Sequence, residues 1–360
     1  MSLVAAGWVN STFNTLAVTT ALLFGALAGR YGAPRCCGAG LLALMLGGSL
    51  GASANGEAML FASRIIEGAG FIAIAVSAPA LIAAASAPHQ RNLTLGLWST
   101  YLPFGASLTM LASPLLLGSL GWRGFWMLIV LMTLACAVAL WRSRGAYGLA
   151  HRGTAITFAN MVQALRQPGP WWLALGFGCY ALIFYAIMVW LPTFLAQERG
   201  ASVSAAALLT GLAVAVNVCG NLLGTWLVHR AAPRGHVISI AFLVAAACAC
   251  GIFSTGLPDW LRAASCMLLM FAGGTIPAAV LSGTQVYARH ASQISSIQGL
   301  IVQVAQLGPF FGPPLIAAVV ARSGNWEASL WVLLTAAALG ALFGQLAART
   351  ERALAQASGA

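Results

Sequence analysis

Eleven runs of apolar residues divide this chain, at about 6–28, 36–54, 58–84, 92–118, 124–142, 171–195, 203–228, 236–256, 261–286, 294–320 and 327–347. Roughly 17 to 25 apolar residues in a helix cross the hydrocarbon core of a bilayer. Such runs constrain the fold more than any motif can, because hydrocarbon offers no hydrogen-bond partners and each segment must satisfy its own backbone. Strands of a membrane barrel would alternate in polarity and extend only about ten residues. Composition agrees, with 60% hydrophobic and 6% charged residues, where a soluble domain carries roughly a quarter charged. An all-α membrane protein is expected.

In a soluble chain a net charge of +11 would suggest a nucleic-acid partner; here position gives it another meaning. All 17 basic residues are Arg. Twelve fall in alternate connections or the tail: Arg30, Arg35, Arg91, Arg142, Arg144, Arg152, Arg166, Arg230, Arg234, Arg289, Arg349 and Arg352. The opposite side holds Arg123, Arg199, Arg262 and Arg322, and Arg64 lies inside a run. Positive charge marks cytoplasmic connections, so the C-terminus is expected in the cytoplasm, the chain in a bacterial inner membrane, and no nucleic acid as partner. His89, His151, His229, His236 and His290 share the basic side.

The longest connection divides five runs from six. The expected organisation is an N-terminal helical bundle at 1–142, a cytoplasmic loop at 143–170, a C-terminal bundle at 171–348 and a cytoplasmic tail at 349–360. This orientation puts Met1 outside with no export signal before it. A helix missing ahead of MSLVAAGWVNS is therefore expected; restoring it would make the halves six and six, and a chain lacking it could be a fragment that does not transport.

A short pattern occurs once per half. GALAGRYGAPR covers Gly25 to Arg35 and GTWLVHRAAPR covers Gly224 to Arg234, with Pro34-Arg35 matching Pro233-Arg234. Parallel repeats of several spanning helices build one large class of transporters.

These residues also carry a family resemblance. The segment Gly25-Ala-Leu27-Ala28-Gly-Arg30-Tyr-Gly32, followed by Arg35, resembles the loop signature G-x-L-a-D-R-x-G of the major facilitator superfamily. Arg64-Ile-Ile-Glu67-Gly68-Ala-Gly70 is similar to that family's fourth-helix motif R-x-x-x-G-x-G, and Trp122-Arg123 stands where many members carry Trp-Arg before helix six. Within the family, Gly96-Leu-Trp98-Ser99 resembles the cyanate and nitroimidazole-type porters. The resemblance implies two bundles of six helices, alternating access to a midplane cavity and, in this chain, about eleven of the twelve helices. Two departures stand out. The loop signature's acidic residue is Gly29, and the antiporter pattern G-P-x-x-G-G is absent from the fifth helix, which offers Gly105 and Pro114, while Gly308-Pro309-Phe-Phe-Gly312-Pro313 stands in the eleventh.

Candidate substrate and coupling residues are the polar and aromatic groups inside the runs. Arg64 and Glu67, three apart, share a helix face, and intramembrane charges are costly enough to suggest function. They read either as an internal ion pair fixing packing or as a proton-coupling or substrate-charge site. Tyr101, Tyr180 and Tyr185 need partners for their hydroxyls away from water. Asn217 and Asn221, a turn apart beside Gly220 and Gly224, read as a packing face or as substrate ligands. Thr275, Gln298, Gln303 and Gln306 are similar. Trp171, Trp172 and Trp190 read as interfacial anchors.

Several classes are excluded or left thin. With no Lys there is no G-x-x-x-x-G-K-[ST] loop, so ATP is not the direct drive. The eight Cys lie in or beside apolar runs and behave as small hydrophobes. No paired carboxylates or metal-ligand cluster point to an enzyme, and no metal or cofactor is expected. The reading is a monomeric, proton-coupled secondary transporter of a small organic solute, either an organic anion or a hydrophobic drug or metabolite. A membrane-embedded sensor or enzyme is the alternative class.

Overall fold

The computed structural model describes residues 3–87, 90, 94, 97–145, 147, 166–230, 232–254, 256–288 and 291–358. Most of the loop 143–170 lies outside them, as do His89, Arg91, Gly96, His151, Arg152, Arg289 and His290. The described residues form helices only: α1 Leu3–Thr12, α2 Thr15–Tyr31, α3 Ala33–Ala52, α4 Glu57–Ala85, α5 Tyr101–Arg142, α6 Pro168–Arg199, α7 Val203–His229, α8 Arg234–Phe253, α9 Asp259–Tyr287, α10 Ala291–Ala305, α11 Leu307–Ser323 and α12 Ser329–Ser358.

Among the described residues, nine helical stretches are long and apolar enough to cross a membrane. One of them, α5, is two crossings. Gly121 has φ 64° and ψ 174°, which is not helical, and glycine takes that backbone without a Cβ clash. The connection expected at 119–123 thus shrinks to one residue. Conversely, the run at 6–28 is two helices, broken at Phe13 and Asn14, and the run at 294–320 is broken at Gln306. The last helix continues to Ser358, past the boundary at 348 expected from hydropathy.

Both copies of the repeat mark a helix junction. In the first, α2 stops at Gly32, φ 90°, and Pro34 opens α3; in the second, α7 stops before Pro233, which precedes α8. Proline is tolerated there because the first helical turn leaves its N–H groups unpaired anyway.

Glycine sets how closely the helices approach. A Cβ on Gly70 would stand 2.5 Å from Gly40 O, so α3 and α4 meet backbone to backbone. On α7, Gly220 receives the Phe271 carbonyl, and a Cβ on Gly224 would lie 2.6 Å from Thr275 O. This is small-residue packing, which lets dispersion act where lipid supplies no hydrophobic drive. The C-terminal helices share one large core running from Leu173 to Ala347. Its basic end is tied by Tyr287, 2% exposed, whose hydroxyl donates to Ala347 O at 3.4 Å. Burial and nearby Glu351 push that hydroxyl's pKa up, with Arg234 opposing.

The bundles meet along two seams. In one, α5 lies on α7, where Leu111 fills the space beside Gly211. In the other, α1 lies on α11 and α2 on α10.

Candidate functional site

Arg64 and Glu67 form an ion pair on α4. The Glu67 Oε1 accepts from Trp126 Nε1 at 3.2 Å, and the Arg64 guanidinium lies 4.3 Å from the Trp126 ring centroid. Glycines of α3 make the room: a Cβ on Gly47 would stand 2.6 Å from Glu67 Cγ, and one on Gly51 2.6 Å from Trp126 Cζ2. All these partners belong to the N-terminal bundle. The motif's glycines have separate tasks, since Gly68 admits the Phe13 carbonyl from the α1–α2 break while Gly70 admits α3.

At the loop signature, Arg30 and Arg35 are exposed beside buried Gly32, and Arg30 sits 5.5 Å from the Tyr31 ring centroid. Gly25 lies inside α2.

Between the bundles the lining is aromatic and neutral. Phe13 meets Phe71 at 5.2 Å, Phe71 meets Tyr101 at 6.2 Å, and Trp98 stacks on Tyr101 at 4.6 Å. Across the interface, Tyr185 is close enough to Tyr101 and Tyr180 to interact electrostatically. Tyr180 stacks on Phe177 at 5.9 Å and borders a small apolar cavity with Phe184, Phe242, Met270 and Gly273. Tyr101 keeps 37% of its surface exposed.

The two asparagines are tethered. Asn217 Nδ2 donates to Met270 O at 2.7 Å and to Tyr180 Oη at 3.1 Å. Asn221 joins the bundles, its Oδ1 accepting from Ser99 Oγ at 3.2 Å and its Nδ2 donating to Ser99 O at 3.4 Å. Thr275 spends its hydroxyl on Ala272 O at 2.7 Å within its own helix and packs against Gly224. Gln298 stands exposed on α10. Thus Asn221 bonds across the interface to Ser99 and Tyr185 lies near Tyr101 across it, whereas Asn217 and Tyr180 are paired inside the C-terminal bundle and Arg64 and Glu67 inside the N-terminal one.

One expected anchor is corrected: Trp190 is 6% exposed and donates from Nε1 to Pro313 O at 2.8 Å, the carbonyl of one of two adjacent prolines inside α11. Sequence reading also passed over Asn10, Ser11 and Asn14. The string Asn10-Ser-Thr-Phe-Asn14-Thr15, polar in the middle of an apolar run, was the available signal.

With this geometry in hand, the comparisons settle the class. The chain belongs to the Major Facilitator Superfamily, whose family model matches residues 1–307. It is an integral membrane transporter and not an enzyme. The 2-nitroimidazole transporter of Escherichia coli (strain K12) is 28% identical over 332 residues, covering 90% of this chain and 81% of that protein. Among solved structures, a bacterial homologue of the human lysosomal transporter Spinster, inward-facing and unoccupied, matches with TM-score 0.77 at 17% identity over 98% of this chain and 91% of its own. The Escherichia coli fucose:proton symporter matches with TM-score 0.71 at 17% identity over 95% and 90%.

Proposed function

We propose that this protein moves a small, uncharged, planar organic solute across the bacterial inner membrane by alternating access, driven by protons. The carrying observation is where charge is absent. Among the described residues the mid-span cation, Arg64, is neutralised by Glu67 among helices of a single bundle, and the side chains described where the bundles meet include Trp98, Tyr101, Tyr185 and Asn221. Aromatic walls bind planar rings by offset stacking, while a desolvated carboxylate would need a paired cation there. The relative that transports 2-nitroimidazole supports this solute class over an organic anion.

Glu67 is the coupling residue in this reading. Of the six acidic residues it is the one at mid-span, and a proton on it would release Arg64 and Trp126 and loosen α4 from α3 and α5. The two helical seams between the bundles provide the rocking surfaces.

The test uses the protein reconstituted in vesicles with an imposed pH gradient. It should accumulate 2-nitroimidazole and ignore succinate, and Glu67→Gln should abolish accumulation while leaving solute exchange intact. Preference for succinate would overturn the solute reading. Unchanged accumulation by the Gln variant would make Glu67 a packing residue.

A further inference from the structure

Two membrane-crossing segments are broken, α1 from α2 at Phe13-Asn14 and α10 from α11 at Gln306, and the breaks face each other. The segments run antiparallel in a fixed register. A Cβ on Gly7 would stand 3.2 Å from Pro314 Cα, Trp8 meets Phe310 edge-on at 5.9 Å, and Ser11 Oγ donates to Pro309 O at 3.3 Å. Further along, Val302 packs against the cluster of Ala17, Ala21 and Ile72. This register sets Asn14 opposite Gln306, with Gln303 one turn further along α10.

These polar groups are not spent on holding helices together. Asn14 is 1% exposed and its Oδ1 has no hydrogen-bond partner; Gln303 Oε1 is also buried without one, and so is the donor Asn10 Nδ2. An amide serving only as glue between helices would have its partner in the fold. Unpaired polar atoms are costly in a medium without water, and three neutral amide groups with such an atom, Asn10, Asn14 and Gln303, lie along the two segments that are interrupted where the bundles meet. Broken helices at the midplane expose backbone and side-chain polar groups to a passing ligand.

We propose that Asn14 and Gln303 are specificity-determining residues that accept hydrogen bonds from an N–H or O–H group of the transported solute, with Asn10 donating to an acceptor on it. The inference rests on the reading of the chain as a carrier of small planar neutral solutes. It assigns to that solute a polar edge carrying both a donor and an acceptor, matched to the helix breaks, while its ring lies against the tyrosines.

The experiment compares 2-nitroimidazole, which has a ring N–H, with 1-methyl-2-nitroimidazole, which has none, in vesicles holding the full chain. A site built around an unpaired acceptor should favour the N–H compound by about tenfold or more. Asn14→Leu and Gln303→Leu should each flatten that preference by slowing the N–H compound by a larger factor than the methylated one. Thermal midpoints supply a second readout that does not need transport. Without solute, Asn14→Leu should melt no lower than the parent, since it removes an unpaired buried oxygen, and 2-nitroimidazole should raise the parent's midpoint but not the variant's. Asn14→Ala serves if the Leu variant does not fold. Equal transport of both compounds by the parent, or a preference kept by the Leu variants, would overturn the inference while leaving the solute class standing. Transport of neither compound would overturn the solute class and the inference with it.

Discussion

Removing one partner of the Arg64–Glu67 pair should destabilise this protein far more than removing both. The two side chains are 19% and 9% exposed, and Trp126 holds the carboxylate at 3.2 Å while lying under the guanidinium. Glu67→Leu leaves that guanidinium with an aromatic face and no counter-charge. Breaking a buried pair costs about 3–5 kcal/mol, whereas replacing both partners by apolar residues of similar volume is often neutral. The partial exposure of Arg64 admits some screening, so the lower end, about 3 kcal/mol, is expected for either single change. Arg64→Met combined with Glu67→Leu should come back to within about 1 kcal/mol of the parent. Thermal unfolding in detergent reads this directly, with a drop of roughly 4 °C for the singles and little for the double. In vesicles the double variant should still exchange solute but fail to accumulate it against a gradient, because the proton's site is gone. A double variant as unstable as the singles would refute the desolvation reasoning, and full gradient-driven accumulation by it would remove Glu67 from coupling.

Gly220→Ala puts a methyl group into the Phe271 carbonyl, so α7 and α9 must separate; overpacking of this kind costs about 1–3 kcal/mol, read as a lower thermal midpoint, while Ala at the open Gly105 should leave the midpoint unchanged. Reporter fusions at Arg152 and Arg199 should report opposite membrane sides, with Arg152 cytoplasmic, and the same side for both would refute the orientation drawn from the arginines.

The legibility of this chain varies with the kind of signal. The crossings were readable because each is a local property, a run of side chains soluble in lipid, and the motif glycines Gly32, Gly68 and Gly70 were readable because a missing Cβ matters wherever backbone turns or approaches backbone. The pairing of Arg64 with Glu67 followed from helical spacing. What the spacing could not supply was a direction: Trp126, from the far half of α5, completes the pair, and nothing local to α4 says whether it faces that ring or the other bundle. The breaks at Asn14 and Gln306 were missed for a related reason, since hydropathy averages over a window and one turn of polar residues barely moves the mean.

By itself, then, the sequence determined that this protein crosses a membrane as helices, roughly where most of those crossings lie, and which repeat joins its halves, because hydrocarbon penalises every unpaired backbone group and so dictates local structure. Only the tertiary structure decided that Tyr185 lies near both Tyr101 and Tyr180, that Asn217 and Asn221 are held by Met270 and Ser99, and that two interrupted helices meet in register. Those facts depend on which face each helix turns toward another. In a chain apolar on every side, that choice is made by the fit of glycines and side chains between helices distant in sequence.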